Sequence, residues 1–391
     1  MRFSYERVVA SHGSAVADAA YELNALFDER VYLWMAGLWD SERGGFYYAN
    51  SSRDEERFLP DLESTGQALG HFEMLGLVDS YSDLPVTACE KLYNFVASMQ
   101  DPEDGYFYHP QWGKNVNSSR RGRDLGHAVG ILRELGRKAL YPTATERLSA
   151  NRDNTVVNEA SSYLSSEVAF RRYLCELDIR SDSYGKGHIL SAIAAEIRAA
   201  GLAEVCEEYL NSTQYAETGL WSETKSYLSL SGLLKISGTY RLLGKEFPNM
   251  ERALRSAIEI ALSEEPTPCT VQVYNPICSV QNLFEIAAKT GNSKLTAEAR
   301  LILSENAERL LRCTAEKLAK FKRDDGAFSY LDRGSTPISQ KVEVSLGLVE
   351  SDMNATALCD SSRKRCMDII GLNVDKLCED KDREILYSIV K

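Results

Sequence analysis

The sequence predicts an all-α protein built from repeated helical hairpins, on three observations. Apolar residues recur at i, i+3, i+4 and i+7 along almost the whole chain, the spacing of one buried helix face. Four segments share a glycine-aromatic turn beside acidic residues: Asp40 with GGFYY, Asp101 with GYFY, ETGLWSE at 217–223 and RDDGAFSY at 323–330. No Pro/Gly/Ser-rich linker divides the 391 residues, so residues 1–391 read as a single domain.

The first helix is expected over about residues 14–35, followed by the loop WDSERGGFYYANSSRDEERFLPD. A second spans roughly 62–77, with Asp61 as its cap. A third covers 84–99. The turn DPEDG comes next, where Pro102 and Gly105 exclude helix. Tyr106, Phe107, Tyr108, His109 and Trp112 follow, then a loop with Lys114, Arg120, Arg121 and Arg123, then a helix over 126–138. Two weaker copies of the turn are SDSYGKGH at 181–188 and EPTPCTVQVYNP at 265–276, each before an apolar helix. Residues 295–321 read as one long helix or a broken pair, a further helix surrounds Leu346, and 361–391 read as two helices. Each unit closes near L-G, as at Gly76, Gly136 and Gly244. Glycine lets the backbone turn tightly, and the aromatic after it plugs the gap between helix pairs.

Composition narrows the function. The net charge is −12, which argues against general nucleic-acid binding, because phosphate contacts need a basic surface. The cations at 114–123 depart from that acidic background. No apolar run approaches 18 residues and the N-terminus shows no signal-peptide pattern, so no membrane association and a cytoplasmic location are expected. The nine cysteines are scattered, with no CxxC pair, and read as reduced core thiols; no metal site and no cofactor are expected.

The order helix, Gly-aromatic turn, loop, helix resembles the α/α toroid superfold, in an (α/α)6 or (α/α)7 form with Gly-aromatic hooks. That superfold includes squalene cyclases, prenyltransferase β-subunits, α/α glycoside hydrolases, sugar epimerases and polysaccharide lyases. The terpenoid branch implies DxDD or DDxxD, and neither occurs. The prenyltransferase branch implies an Asp, Cys and His zinc set, which no repeat supplies. The lyase branch implies Tyr, His, Asn and Arg around a uronate, and all four types stand here before expected inner helices.

If those helices ring one face, its candidates are Glu63, Tyr108, His109, Trp112, Arg120, Arg123, Lys186, His188, Tyr274, Asn275, Asp352 and Asn354. β-Elimination from a uronate needs a group to neutralise the carboxylate, a base for the C5 proton and an acid for the leaving oxygen. Asn275 or Arg123 suits the first role, His109 or His188 the second, and Tyr274 or Tyr108 the third. Tyr108, Trp112, Arg120, Lys186, Glu63, Asp352 and Asn354 are the expected substrate-binding residues. Asp61 reads first as a cap, and His71 and His127 as ordinary helix histidines. Glu63 with Asp352 is the alternative carboxylate pair of a glycoside hydrolase. The expected partner is an acidic oligosaccharide or polysaccharide; a hydrolase, an epimerase or a non-catalytic toroid that binds a partner in its cleft are the alternatives.

Overall fold

The computed structural model describes residues 4–151, 163–289, 291–372 and 378–391, and they are predominantly helical. The helices are α1 (Tyr5–His12), α2 (Ser14–Ala25), α3 (Glu29–Ala36), α4 (Asn50–Asp54), α5 (Leu62–Leu75), α6 (Val86–Ser98), α7 (Ser118–Glu134) and α8 (Ala144–Asn151). They continue as α9 (Glu167–Leu177), α10 (Ser183–Ala192), α11 (Ala194–Ala199), α12 (Ala203–Thr213), α13 (Tyr227–Leu243), α14 (Met250–Ala261) and α15 (Val271–Lys289). After α16 (Ser293–Glu305) and α17 (Ala307–Ala319) come a short antiparallel pair, β1 (Ile338–Ser339) and β2 (Val342–Glu343), then α18 (Met353–Ile370) and α19 (Asp380–Ile389).

Caps explain most departures from the expected boundaries. The expected helix over 14–35 is two, because the Asp28 side chain accepts from Arg30 N and starts α3 afresh. Asn117 likewise accepts from Arg120 N, so α7 begins before the arginines, and Arg120, Arg121 and Arg123 are helical rather than in a loop. Around Leu346 there is no helix; residues 344–352 are irregular, and Asp352 starts α18 by accepting from Ala355 N. Residues 295–321 are the broken pair, interrupted at Asn306. Of the tail, residues 373–377 lie outside the described residues.

The repeated turn is one geometry used four times. Gly44, Gly105, Gly219 and Gly326 all hold positive φ, between 68° and 104°. The aromatic two residues later, Phe46, Phe107, Trp221 or Phe328, is buried in every case. Bridges Trp39 to Phe46, Gln100 to Phe107, Tyr215 to Leu220 and Lys322 to Phe328 close the hooks. A Cβ on Gly105 would stand 2.4 Å from Pro142 O, and one on Gly219 2.3 Å from Ala253 N. Glycine is therefore required twice over, by the left-handed backbone and by the approach of the next segment. Gly105→Ala is expected to cost about 1–3 kcal/mol, read as a lowered midpoint in thermal unfolding; an unchanged midpoint would show that the hook relaxes without strain.

Six helices pack as neighbours in the order α7, α5, α18, α15, α13, α10. The closing L-G glycines Gly76 and Gly244 are left-handed caps of α5 and α13. Buried apolar side chains form two clusters, one around α3, α5, α6 and α7 and a larger one around α2 and α9 to α18. A buried polar contact joins α5 to α18: His71 Nδ1 lies 3.2 Å from Asp360 Oδ2, Arg363 Nη2 lies 2.6 Å from Asp360 Oδ1, and Arg363 Nη1 donates to Asn24 Oδ1 at 3.1 Å. The nine cysteines are unpaired, and among the described residues no helix is long and apolar enough to cross a membrane.

Candidate functional site

The caps and first two turns of the neighbouring helices carry Glu63, Arg120, Arg123, Lys186, His188, Tyr274, Asn275, Asp352 and Asn354, while Tyr108, His109 and Trp112 precede α7. Five of these N-termini are capped by a side chain: Asp61, Asn117, Asp182, Ser226 and Asp352 each accept from the backbone N–H three residues on. Those capped N–H groups are not free for an anion, which side-chain cations can hold instead.

On α5 and α7 the centre is Arg120. It is buried, and its guanidinium donates to Glu63 Oε2 at 2.9 Å, Asp124 Oδ2 at 3.0 Å and Asp61 Oδ1 at 3.4 Å, with a further close bond to Asp124 Oδ1. The Trp112 ring covers it, 4.5 Å from centroid to guanidinium. Burial pushes the Asp124 carboxyl up to about 6 against the pull of Arg120. Arg120 is thus a fastener between α5 and α7, neutralised by its partners. Arg123, three residues on, is different. It donates to Glu63 Oε1, yet 46% of its side chain is exposed, against 1% for Arg120. It is the cation of the pair that a ligand can reach.

Arg123 also acts electrostatically on residues of other helices. His188 on α10 is exposed, and its pKa is lowered by burial, then by Lys235 and Arg123. Lys235 on α13 is half-buried and also held low, by burial and then by Arg123. Its ammonium stands 5.8 Å from the Tyr184 ring centroid, and Tyr184 is itself exposed. Tyr330 is half-buried; burial raises its phenol, followed by Cys269, Asp352 and Tyr184, with Arg123 opposing. An imidazole and two cations, with the Tyr184 ring beside Lys235 and the Tyr330 phenol near Arg123, are thus electrostatically linked across α7, α10 and α13.

A second group lies on α15 and α18. Burial raises the Tyr274 phenol to about 12, and Arg365 stands over its ring at 5.8 Å. Arg365 donates to Gln281, Asn275 Nδ2 donates to Ser231 Oγ at 2.9 Å, and Asn282 Nδ2 to Ser237 Oγ at 3.2 Å. Asn275 is spent on tying α15 to α13, and Pro276 sits inside α15 rather than starting a turn.

Other expected residues serve the scaffold. His109 is buried: Nε2 donates to Pro60 O at 2.9 Å, and Nδ1 accepts from Gln111 N at 3.3 Å. Both nitrogens are engaged and burial holds the ring neutral. Trp112 stacks on His109 at 4.1 Å and donates to Glu343 O at 3.1 Å. Tyr108 donates to Asp104 Oδ2 at 2.7 Å, and Lys186 folds back onto Asp178 O and Ser181 Oγ. Glu63 bridges Arg120 and Arg123. Asp352 is wholly buried, accepts from Ala355 N and Tyr330 N, and is pushed up to about 7 by burial. Asn354 accepts from Gln67 Nε2 at 2.9 Å. Sequence reasoning missed Lys235, Tyr330 and Arg365. Lys235 had one signal, a lone cation within the apolar run LSGLLKISG.

Among the described residues no group of three or more His, Cys, Asp or Glu side chains is gathered as a metal site requires. No protein-family model, no curated protein and no solved structure matches the chain.

Proposed function

We propose that the chain is an α/α toroid lyase that cleaves an acidic, uronate-containing glycan by β-elimination. One observation carries this reading: exposed His188, held neutral, stands with Arg123 and Lys235, each of the three from a different helix. The helix order α7, α5, α18, α15, α13, α10 favours a closed ring in a single domain, because Arg123 on α7 bears on both α10 and α13 at the far end of that order.

The roles follow from chemistry. Arg123, with four N–H donors beyond the one given to Glu63, takes the uronate carboxylate, and Lys235 adds charge. Withdrawing charge from the carboxylate acidifies the C5 proton. His188 Nδ1 or Nε2 accepts that proton, the C4–O4 bond breaks as the C4=C5 bond forms, and a phenol protonates the departing oxygen. His188 replaces His109 as base, since His109 has no free nitrogen. Tyr330 is a phenol within electrostatic reach of Arg123, whereas Tyr274 stands beside Cys278 and under Arg365. Asn275 holds a helix contact and leaves the carboxylate to Arg123. The hydrolase pair is disfavoured: Glu63 is bound to two arginines and Asp352 is sealed. The nine unpaired thiols favour action in a reducing compartment.

The test is absorbance of the unsaturated product over alginate, glucuronan, pectate and glycosaminoglycans. Activity on at least one is expected, with affinity falling as salt rises, because partly exposed cations are screened. Reducing sugars without an unsaturated end would establish the hydrolase instead. Binding of an anionic glycan without turnover would establish a non-catalytic toroid.

A further inference from the structure

Arg365 on α18 is a half-buried cation whose nearby counter-charges are taken by others. Its Nε donates to Ser361 Oγ at 3.1 Å, and Nη1 donates to Gln281 Oε1 on α15. Both acceptors are neutral. Asp368, three residues on and within helical reach, is paired with Lys364 at 2.6 Å. Glu285, one turn beyond Gln281, accepts from Gln281 Nε2 at 3.1 Å and from Arg241 Nη1 at 3.3 Å. Among the described residues Arg365 has no carboxylate partner. The buried arginines Arg120 and Arg363, by contrast, both hold carboxylates. A guanidinium has five N–H donors, and Arg365 uses two of them on these acceptors. A charge drawn partly out of water without a counter-charge is unfavourable, and this chain of net charge −12 has acidic residues in excess.

Three helix faces meet around this cation. Tyr274, Cys278 and Gln281 stand at i, i+4 and i+7 on α15 and share one face. Ser361 with Arg365 on α18, and Ser231 with Lys235 on α13, are i, i+4 pairs of the same kind. α15 packs against both α13 and α18. Asn275 Nδ2 ties α15 to α13 through Ser231 Oγ at 2.9 Å, and Arg365 ties it to α18 through Gln281. The Arg365 guanidinium stands 5.8 Å from the centroid of the half-buried Tyr274 ring. Burial keeps that phenol protonated, so it is a donor at neutral pH. The Lys235 ammonium also has no hydrogen bond or ion pair with a described residue, and it lies within electrostatic reach of Arg123 and Cys278.

We propose that Arg365 and Tyr274 form a second anion subsite, which holds a carboxylate or a sulfate ester on a sugar residue other than the one that is cleaved. The proposed uronate cleft supplies the identity of the ligand, while the subsite itself stands on the contacts above. The planar fork of Arg365 fits either oxyanion, and the phenol adds a donor beside it. No bond is made or broken there, so Arg365 is a binding residue. The consequence is selectivity: a chain with acidic groups on more than one residue binds well, and a chain with a single uronate binds poorly.

The experiment titrates the full chain calorimetrically with three tetrasaccharides: one all-uronate, one with a single uronate followed by neutral sugars, and one in which those neutral sugars carry sulfate. Wild-type protein is expected to bind the all-uronate or the sulfated ligand about 10–100-fold more tightly than the single-uronate one, the contribution of a hydrogen bond to a charged group. Tightening by the all-uronate ligand alone identifies a carboxylate, and by the sulfated ligand alone a sulfate ester. Arg365→Gln is expected to remove that gap and leave the single-uronate affinity unchanged, which also reports an intact fold. Arg365→Lys keeps the charge without the fork and is expected to keep part of the gap. Equal affinity of wild-type protein for all three ligands, or a gap that survives Arg365→Gln, would overturn the subsite. Inorganic sulfate separates the subsite from the glycan reading. At constant ionic strength, millimolar sulfate is expected to raise the unfolding midpoint of the wild-type protein more than that of Arg365→Gln. That result with no glycan bound would keep the subsite and overturn the uronate cleft. Equal shifts in the two proteins would overturn the subsite.

Discussion

Arg120→Met is expected to destabilise the protein by about 3–5 kcal/mol, the cost of stripping one partner from a buried charge cluster. Arg120 is 1% exposed and is bonded to three carboxylates that are themselves buried, Asp61, Glu63 and Asp124. Methionine matches much of the stem but supplies no donor. Glu63 keeps Arg123 and Asp61 keeps the Ser64 backbone and hydroxyl, so Asp124 is the group left alone. The sign of the pH effect follows. Asp124 already sits at about 6, above the ordinary carboxylate value of 3.8, so the folded state holds its proton more tightly than the unfolded state. Between those values stability falls as pH rises. Losing Arg120 widens that window upward, so urea unfolding should show a larger loss at pH 8 than at pH 5. Adding Asp124→Asn to the variant should recover part of it, the mark of a coupled pair. A loss below about 1 kcal/mol at both pH values would mean that solvent reaches the cluster, as it does in exposed ion pairs.

This cluster also shows where sequence reading succeeds and where it stops. The hooks were legible: glycine followed two residues later by an aromatic recurs four times, and each copy has the positive φ and the buried ring that the pattern implies. Asp61 was legible as a cap because capping is local, settled within three residues. The cations at 120–123 were legible as a departure from an acidic chain, but their roles were not. One turn of helix separates inside from outside, and the sequence does not say which carboxylates stand across from Arg120. Asp61 and Glu63 lie about sixty residues away, on another helix. The partners of His109 were not legible either: Pro60 O and Gln111 N are backbone atoms with no residue signature. Lys235 carries little signal of its own, because a lone cation in an apolar helix is usually a solvated edge.

Lys235→Met is the sharpest test of the site, because it perturbs the proposed base without touching it. His188→Gln should lower turnover by about 10²–10⁴-fold, the contribution of a general base. That result alone would not separate a base from a binding residue. The pH profile does. A base works when unprotonated, and burial with two neighbouring cations holds His188 below the ordinary imidazole value of 6.5. The acid limb of kcat/KM for the wild-type protein is therefore expected below pH 6.5. Removing the ammonium of Lys235 takes away one of the two charges that oppose protonation, so the limb should move to higher pH while the alkaline plateau survives at reduced height. Arg123→Gln should move it the same way but also raise KM steeply if, as proposed, Arg123 holds the carboxylate. An acid limb that stays in place when Lys235 is lost would show that His188 does not titrate in the rate, and the base would have to be sought elsewhere on the face.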